Sequence, residues 1–241
     1  MLFQLLDELM TNPARFPVVL LTFLATIGLG LVVALTVHEF SHAAVATGLG
    51  DDTPRRQGRL SLNPLRHLDP MGTLLLMVAG FGWGRPVRVD PRYFQRWLSP
   101  RAGMALVAAA GPLSNLLTAT LLALPIRLGL LHWHSPLRYS TAFLQRDPAL
   151  IVADILGWLI LYNVFLGVFN LIPLAPLDGF NLALGVVPAN LAGSLARLQP
   201  MGMGLLMAAV MLDYFFRFGI LARFLMPVAN TATMLLVGKP L

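Results

Sequence analysis

Residues 16–47 have the sequence FPVVLLTFLATIGLGLVVALTVHEFSHAAVAT, an apolar run that only a His38-Glu39-Phe40-Ser41-His42 cluster interrupts. About 20 apolar residues in a helix cross a hydrocarbon layer of ~30 Å, so this run predicts a membrane-spanning helix. Histidines four positions apart lie on one helix face and can bind one metal ion, while the adjacent Glu39 can take a proton from metal-bound water. Ionisable groups are costly in hydrocarbon, so the cluster predicts a functional site, and hydrolysis of a peptide bond within the membrane is the chemistry it favours.

The composition is that of a membrane protein. The chain is 57% hydrophobic and 12% charged, whereas soluble domains carry about 25% charged residues. The net charge is +6, but nine of the 17 basic residues fall in residues 51–101, which is typical of a cytoplasmic loop under the positive-inside rule. This distribution argues against nucleic acid as a partner and for the lipid bilayer. The chain has no cysteine, so any metal must be held by His, Asp or Glu.

The apolar pattern predicts an all-α polytopic membrane protein with about five transmembrane helices. The predicted spans cover residues 16–47, 102–124, 149–169, 201–216 and 219–237. Between the first two, the apolar segment 71–83 is too short to cross a bilayer, and its glycine-rich end argues against a helix. We therefore predict a short membrane-dipping β/loop element there, with strands at 59–62 and 87–89 where polar and apolar residues alternate.

These segments define three regions of the chain. Residues 1–16 are predicted to form an N-terminal extracytoplasmic segment, which lacks the basic start of a signal peptide and is expected to stay on the mature protein. Residues 17–180 form the core, and residues 181–241 a connection with the final pair of spans. With the basic loop 51–101 in the cytoplasm, the first and third spans both run inward. Asp178, which follows the third span, is therefore expected on the same side as His38 and His42.

Asp178 is the preferred third ligand of the predicted metal site. A catalytic zinc site takes three protein ligands and leaves a fourth position open. Asp178 follows an apolar helix, lies on the side of the histidines and comes after helix-breaking prolines, whereas Asp69 and Asp213 are second choices. For Asp178-Gly179 taken alone, a turn at the end of a helix is an equally good interpretation.

Several motifs occurring in order resemble the site-2 protease family of intramembrane zinc metalloproteases. These are His38 to His42 on the first span, Gly111-Pro-Leu-Ser-Asn115 on the second and Asn170 to Gly179 after the third. The intervening segments 58–64, 69–73 and 81–86 resemble the compact bacterial members, and the likeness covers most of residues 17–180. Only residues 125–148 stand where some relatives carry a PDZ domain.

The resemblance implies one zinc ion (Zn²⁺) per chain, held by His38, His42 and Asp178, with Glu39 as the general base. It implies as partner a single-pass membrane protein substrate, and as location the cell membrane, with the active site near the cytoplasmic side.

The resemblance also implies residues that bind substrate. Asn115 and Asn170 are expected to position the substrate carbonyl or its oxyanion, and Pro173 belongs to the same irregular segment before Asp178. For Asn115, hydrogen bonding between helices is an equally good alternative.

Two other classes of function remain open from the sequence. A metal transporter would place His and Asp in the membrane as a transit site, but it is expected to show paired half-repeats, and this chain has none. A catalytically silent scaffold would keep the fold and bind membrane helices. The intact His-Glu-His cluster and Asp178 argue against it.

Overall fold

The computed structural model describes residues 10–11, 13–14, 16–79, 82–133, 135–136, 147–216 and 219–240. Most of the predicted N-terminal segment 1–16 therefore lies outside the described residues, as do Gly80, Phe81 and His134. Within the described residues, all regular secondary structure is helical.

The fold consists of long apolar helices joined by short ones. In chain order they are α1 (Phe16–Gly48, with a π-helical turn at Leu24–Gly28), α2 (Thr53–Arg56), α3 (Pro70–Ala79), α4 (Pro100–Arg127), α5 (Pro148–Asn170), α6 (Asp178–Val186), α7 (Ala189–Ala196), α8 (Gln199–Phe216) and α9 (Ile220–Val237). Short 3₁₀ turns occupy Pro64–Arg66 and Pro91–Tyr93.

The starts of α4 and α5 follow from their sequences. The Ser99 hydroxyl accepts a hydrogen bond from the backbone N–H of Ala102, and the Asp147 carboxylate accepts bonds from the first free N–H groups of α5. In both helices proline follows the capping residue, where its missing N–H costs nothing and its fixed φ suits a helix.

Among the described residues, three helices are long and apolar enough to cross a membrane: α1, α4 and α5. They match the first three predicted spans and make this a membrane protein. The prediction of five spans is not reproduced. Helices α7 and α8 together form a fourth apolar unit that is bent by 62°, and the apolar part of α9, Arg223–Val237, is shorter than a full span.

The predicted β/loop element between the first two spans is wrong in two respects. Residues 70–79 form helix α3, and the predicted strands at 59–62 and 87–89 are not formed. The carboxylate of Asp69 caps α3 by accepting from the N–H groups of Met71 and Gly72. Of the glycines that argue against a helix, Gly82 and Gly84 lie outside α3, and Gly80 is not among the described residues. The one β-type contact among the described residues is an isolated antiparallel bridge between Leu68 and Gly84.

Small side chains let the helices that carry the site pack closely. Ala34, Ala43 and Ala46 of α1 are fully buried, and so are small residues of α4. Without a hydrophobic driving force between helices in lipid, close backbone approach of this kind supplies the packing energy. On the other side of α4, Ala119 and Ala123 pack with residues of α5 and α9 in the main apolar cluster. Helix α4 is thus the central helix, in contact with α1, α5, α6 and α9.

Candidate metal centre

Three side chains from two separate helices meet at one point. Nε2 of His38 lies 3.0 Å from Oδ2 of Asp178, and Nε2 of His42 lies 3.1 Å from the same oxygen. Ligand atoms of these three residues all fall within 4.8 Å of one another, a spacing that can hold a metal ion. The two histidines are buried and Asp178 is largely so. Among the described residues no other group of His, Asp and Glu side chains has this arrangement.

The chain after α5 is shaped to bring Asp178 back to α1. Residues 171–177 turn without regular helix, include a cis peptide bond before Pro176, and lead directly into α6, of which Asp178 is the first residue. The next residue must be glycine, because a Cβ on Gly179 would lie only 2.3 Å from the carbonyl oxygen of Leu171. In the Asp178-Gly179 pair, Asp178 is therefore the candidate ligand and Gly179 allows the close approach to the backbone of Leu171. The pair also lies at the turn into a helix, as the sequence suggested.

Hydrogen bonds on the far side of each ring fix the histidines. Nδ1 of His42 is 2.7 Å from the carbonyl oxygen of Val107, and Nδ1 of His38 is 2.7 Å from Oδ1 of Asn115. Both partners are oxygen acceptors, so each Nδ1 carries the proton and, in the neutral ring, each Nε2 carries a lone pair. Metal-ligating histidines are held in this way by their second nitrogen.

Zinc fits this arrangement. Two Nε2 lone pairs and the buried Oδ2 of Asp178, which receives no hydrogen bond from the described residues, point at the same small space. Without a cation these three electron-rich atoms would repel one another. Ligand atoms on a tetrahedral zinc ion lie about 3.3 Å apart, close to the separations found here. Two imidazoles and one carboxylate are also a ligand set that catalytic zinc uses.

Gly111 of α4 lies against both histidine rings. A Cβ at this position would lie 2.4 Å from Nε2 of His42 and 2.6 Å from Cε1 of His38. Only glycine lets α4 come this close to both rings while leaving space beside the ligand atoms. The sequence placed Gly111 in a family-like motif without giving it a role. The sequence did hold a signal for it: Gly111 comes three residues before Ser114 and four before Asn115 on the same predicted span.

Glu39 is placed beside the site on α1. It is half-buried, and its carboxylate makes no hydrogen bond or ion pair with the residues that the structure describes. It is nevertheless close enough to His42 to interact with it electrostatically. A carboxylate left free next to a metal position is the arrangement that a general base requires.

Asn115 lies behind His38. It is fully buried, and its Nδ2 donates both hydrogens, at 2.9 Å each, to the carbonyl oxygen of Ala34 and to Oδ1 of Asn163. These contacts match the alternative of helix–helix hydrogen bonding and leave Asn115 no free donor for a substrate. Asn163 was missed by the sequence analysis, because a single asparagine in an apolar helix matches no motif.

The other predicted substrate-binding residues flank the turn before Asp178. Asn170 is the last residue of α5, where its Nδ2 donates to the carbonyl oxygen of Leu166 at 3.0 Å, and Pro173 is exposed in the turn. Their contact with substrate stays a prediction.

The second-choice ligands do not join the cluster. Asp69 caps α3, and the group that the structure brings together contains neither it nor Asp213. His67 is buried in the loop after α2, where its Nε2 lies 2.7 Å from the carbonyl oxygen of Ser61.

Comparison with known proteins finds bacterial relatives of similar chemistry. The chain is 38% identical over 187 residues to a Bacillus subtilis protein named putative zinc metalloprotease YwhC. The matched region covers 78% of this chain and 79% of that protein. It is 34% identical over 154 residues to putative zinc metalloprotease Rip2 of Mycobacterium tuberculosis and 35% identical over 157 residues to Rip2 of Mycolicibacterium smegmatis. Each Rip2 match covers 63% of this chain and 53% of the relative. No family model matches the chain, and no solved structure matches it significantly.

Proposed function

The chain belongs to the site-2 protease family of zinc metalloproteases, and from this premise we propose that it hydrolyses a peptide bond in or near the transmembrane segment of another membrane protein. The convergence of His38, His42 and Asp178 carries the proposal, since it supplies the three protein ligands of a catalytic zinc site and puts them among apolar helices. We further propose one zinc ion per chain.

Bound zinc would supply Lewis-acid chemistry, lowering the pKa of a water from about 15.7 to about 7 and polarising a carbonyl. The residues of the chain do the rest. The free carboxylate of Glu39 takes the proton from the attacking water and later passes it to the leaving amine. Asn115 and Val107 hold the two imidazoles, and Gly111 keeps the side of the site beside α4 open.

A helical substrate hides its amides in its own hydrogen bonds, so it has to unwind locally before it can react. We assign the hydrogen bond to the freed carbonyl to the second amide hydrogen of Asn170, because both amide hydrogens of Asn115 are already donated. Pro173, which has no N–H, is assigned an apolar contact with the substrate. Residues 86–89, which follow the bridge at Gly84 and have no regular secondary structure, offer backbone groups that the unwound segment can take up.

Location and orientation are part of the same proposal. Arginines dominate the loop between α1 and α4, which favours the cytoplasm for that loop and for the ends of α1 and α5 that approach the metal centre. The protein is accordingly proposed to span the cell membrane several times, with its site near the cytoplasmic face and a single-pass protein as substrate.

Cleavage in a defined system tests this function. Membranes from cells that express the wild-type chain or its Glu39→Gln variant are compared by proteomics for single-span proteins that shorten only with the wild type. A shortened protein is then purified and incubated with the enzyme in detergent, with and without a zinc chelator. We expect cleavage that the chelator stops and added zinc restores. Cleavage that survives both the chelator and Glu39→Gln would contradict the proposal, and zinc binding without any cleaved protein would favour a scaffold or a transporter.

A further inference from the structure

Two buried asparagines connect α1, α4 and α5 directly behind His38. Nδ1 of His38 contacts Oδ1 of Asn115 on α4, and Nδ2 of Asn115 contacts Oδ1 of Asn163 on α5 at 2.9 Å. Nδ2 of Asn163 in turn reaches the backbone carbonyl oxygen of Leu159 at 2.8 Å. Both asparagines are 0% exposed, so these contacts have no competition from water.

The chemistry of the groups gives this chain of hydrogen bonds one direction. The carbonyl of Leu159 can only accept, so the NH₂ group of Asn163 must face it and its Oδ1 must face Asn115. Asn115 must then present its NH₂ group to Asn163, and the second hydrogen of that group is donated to the carbonyl of Ala34. Its Oδ1 is left facing His38, which has to donate from Nδ1.

We infer that Asn163 is a positioning residue that keeps His38 in the tautomer able to bind metal, because it fixes the orientation of the Asn115 side chain together with the carbonyl of Ala34. The inference rests on the proposed function, because it concerns the same metal centre. With the Nδ1 proton fixed, the Nε2 lone pair of His38 points toward Asp178. An Asn115 turned by 180° would donate to Nδ1 instead, move the proton to Nε2 and remove the lone pair that the metal needs.

His42 does not depend on Asn163. Its Nδ1 donates to a backbone carbonyl, that of Val107, which cannot turn round and needs no further side chain to orient it. The two histidines are therefore held differently: His42 directly by a backbone carbonyl, and His38 by the Asn115 side chain, which Asn163 and the carbonyl of Ala34 orient. A change at Asn163 should affect His38 and leave His42 as it is, which a general loss of packing would not do.

The test compares three variants of the full-length protein in detergent. Asn163→Leu keeps the number and branching of the side-chain heavy atoms and removes both polar groups. Asn163→Asp keeps the shape, and a carboxylic acid that stays protonated in this dry position can donate to Leu159 and accept from Asn115. Thr233→Val is the matched control, since Thr233 is also 0% exposed and bonds only within α9, to the carbonyl of Ala229.

Two readouts are measured: the ¹⁵N chemical shifts of the histidine rings in metal-free protein, at a pH high enough to keep both rings neutral, and zinc affinity by competition with a chromophoric chelator. In the wild type we expect Nε2 of both His38 and His42 to be unprotonated. In Asn163→Leu the His38 signal should shift toward a protonated Nε2 while that of His42 stays, and zinc affinity should fall about 10- to 100-fold, as is usual for loss of an outer-shell partner. Asn163→Asp should lie closer to the wild type, and Thr233→Val should match it.

The inference is overturned if Asn163→Leu keeps the His38 shift and the zinc affinity of the wild type, or if Thr233→Val lowers affinity equally. Should Asn163→Leu fail to fold, the wild-type spectrum still decides, because a neutral His38 ring with its proton on Nε2 and none on Nδ1 contradicts the proposed direction. Failure of the proposed function looks different: the wild type would show these shifts and yet cleave no protein.

Discussion

Oδ2 of Asp178 lies 3.0 Å from Nε2 of His38, although the first residue begins α6 and the second belongs to α1. When the imidazole is neutral, with its proton on Nδ1, both atoms are unprotonated, so their proximity is unfavourable unless a cation lies between them and His42. The short distance is therefore an argument for a metal ion, and it makes the contribution of Asp178 measurable.

Removing the Asp178 carboxylate should empty the centre. We expect Asp178→Ala to lower zinc affinity by more than about 100-fold, the upper end of what loss of an outer-shell partner costs. Asp69→Ala is the control: it removes a helix cap and should cost about 1 kcal/mol of stability without changing zinc content. Atomic absorption on dialysed protein measures both, and full zinc occupancy in Asp178→Ala would exclude Asp178 as a ligand.

Substitutions at Glu39 and His38 should separate the loss of catalysis from the loss of metal binding. Glu39→Gln is expected to keep zinc and to lower cleavage of a single-span substrate by at least about 10²- to 10⁴-fold, the usual contribution of a general base. His38→Ala should lose both zinc and cleavage, because it removes a ligand atom. Metal analysis and a cleavage assay are run on the same samples. Wild-type cleavage by Glu39→Gln would mean that another group takes the proton.

The sequence predicted the long helices better than the short ones. The three spans α1, α4 and α5 follow from apolar runs of sufficient length, and their ends from proline and capping residues. The sequence did not predict helix α3, because Gly80, Gly82 and Gly84 argue against a helix there. Gly82 and Gly84 lie outside α3, and Asp69 supplies a cap at its start. In such a short segment the capping signal decides the structure.

For the site, the sequence indicated the residues that carry the chemistry but not those that hold them. The spacing of His38 and His42 on a helix follows from local geometry alone, and the topology of three spans was enough to select Asp178. The roles of Gly111 and Asn163 depend on which helices touch and at which height. That information is in the packing of α1, α4 and α5 and has no local pattern.

The space beside Gly111 gives a prediction with a simple control. Gly111→Ala puts a methyl group 2.4 Å from Nε2 of His42, so either the ring or helix α4 must move. Since a shift of about 1 Å can cost 10²-fold in rate, we expect a loss of cleavage of that order together with weaker zinc binding. Gly204→Ala on α8 meets no atom within 4 Å and should leave both unchanged. Equal effects of the two substitutions would point to general destabilisation.

Arg101 holds the end of α6 that is opposite to Asp178. Its guanidinium group, in the first turn of α4, donates to the carbonyl oxygens of Leu184 and Val187 at the C-terminal end of α6. A cation suits that end of a helix, where unpaired carbonyls carry partial negative charge. Close by, Gly185 packs against Ala105 of α4, so the two helices are fixed to each other on this side.

Arg101→Ala should loosen this attachment and let α6 shift, moving Asp178 away from the histidines. We expect cleavage to fall about 10- to 100-fold with a parallel loss of zinc affinity, because the ligand is misplaced while its chemistry is intact. Arg101→Lys should keep only part of the wild-type cleavage and zinc affinity, since an ammonium group lacks the planar fork that reaches both carbonyls. Arg96→Ala is the control for charge: Arg96 lies in the loop that leads into α4, is exposed, and makes no hydrogen bond or ion pair with the described residues. If Arg96→Ala lowered cleavage as much as Arg101→Ala, the positive charge of the loop, and not the attachment of α6, would be what the site requires.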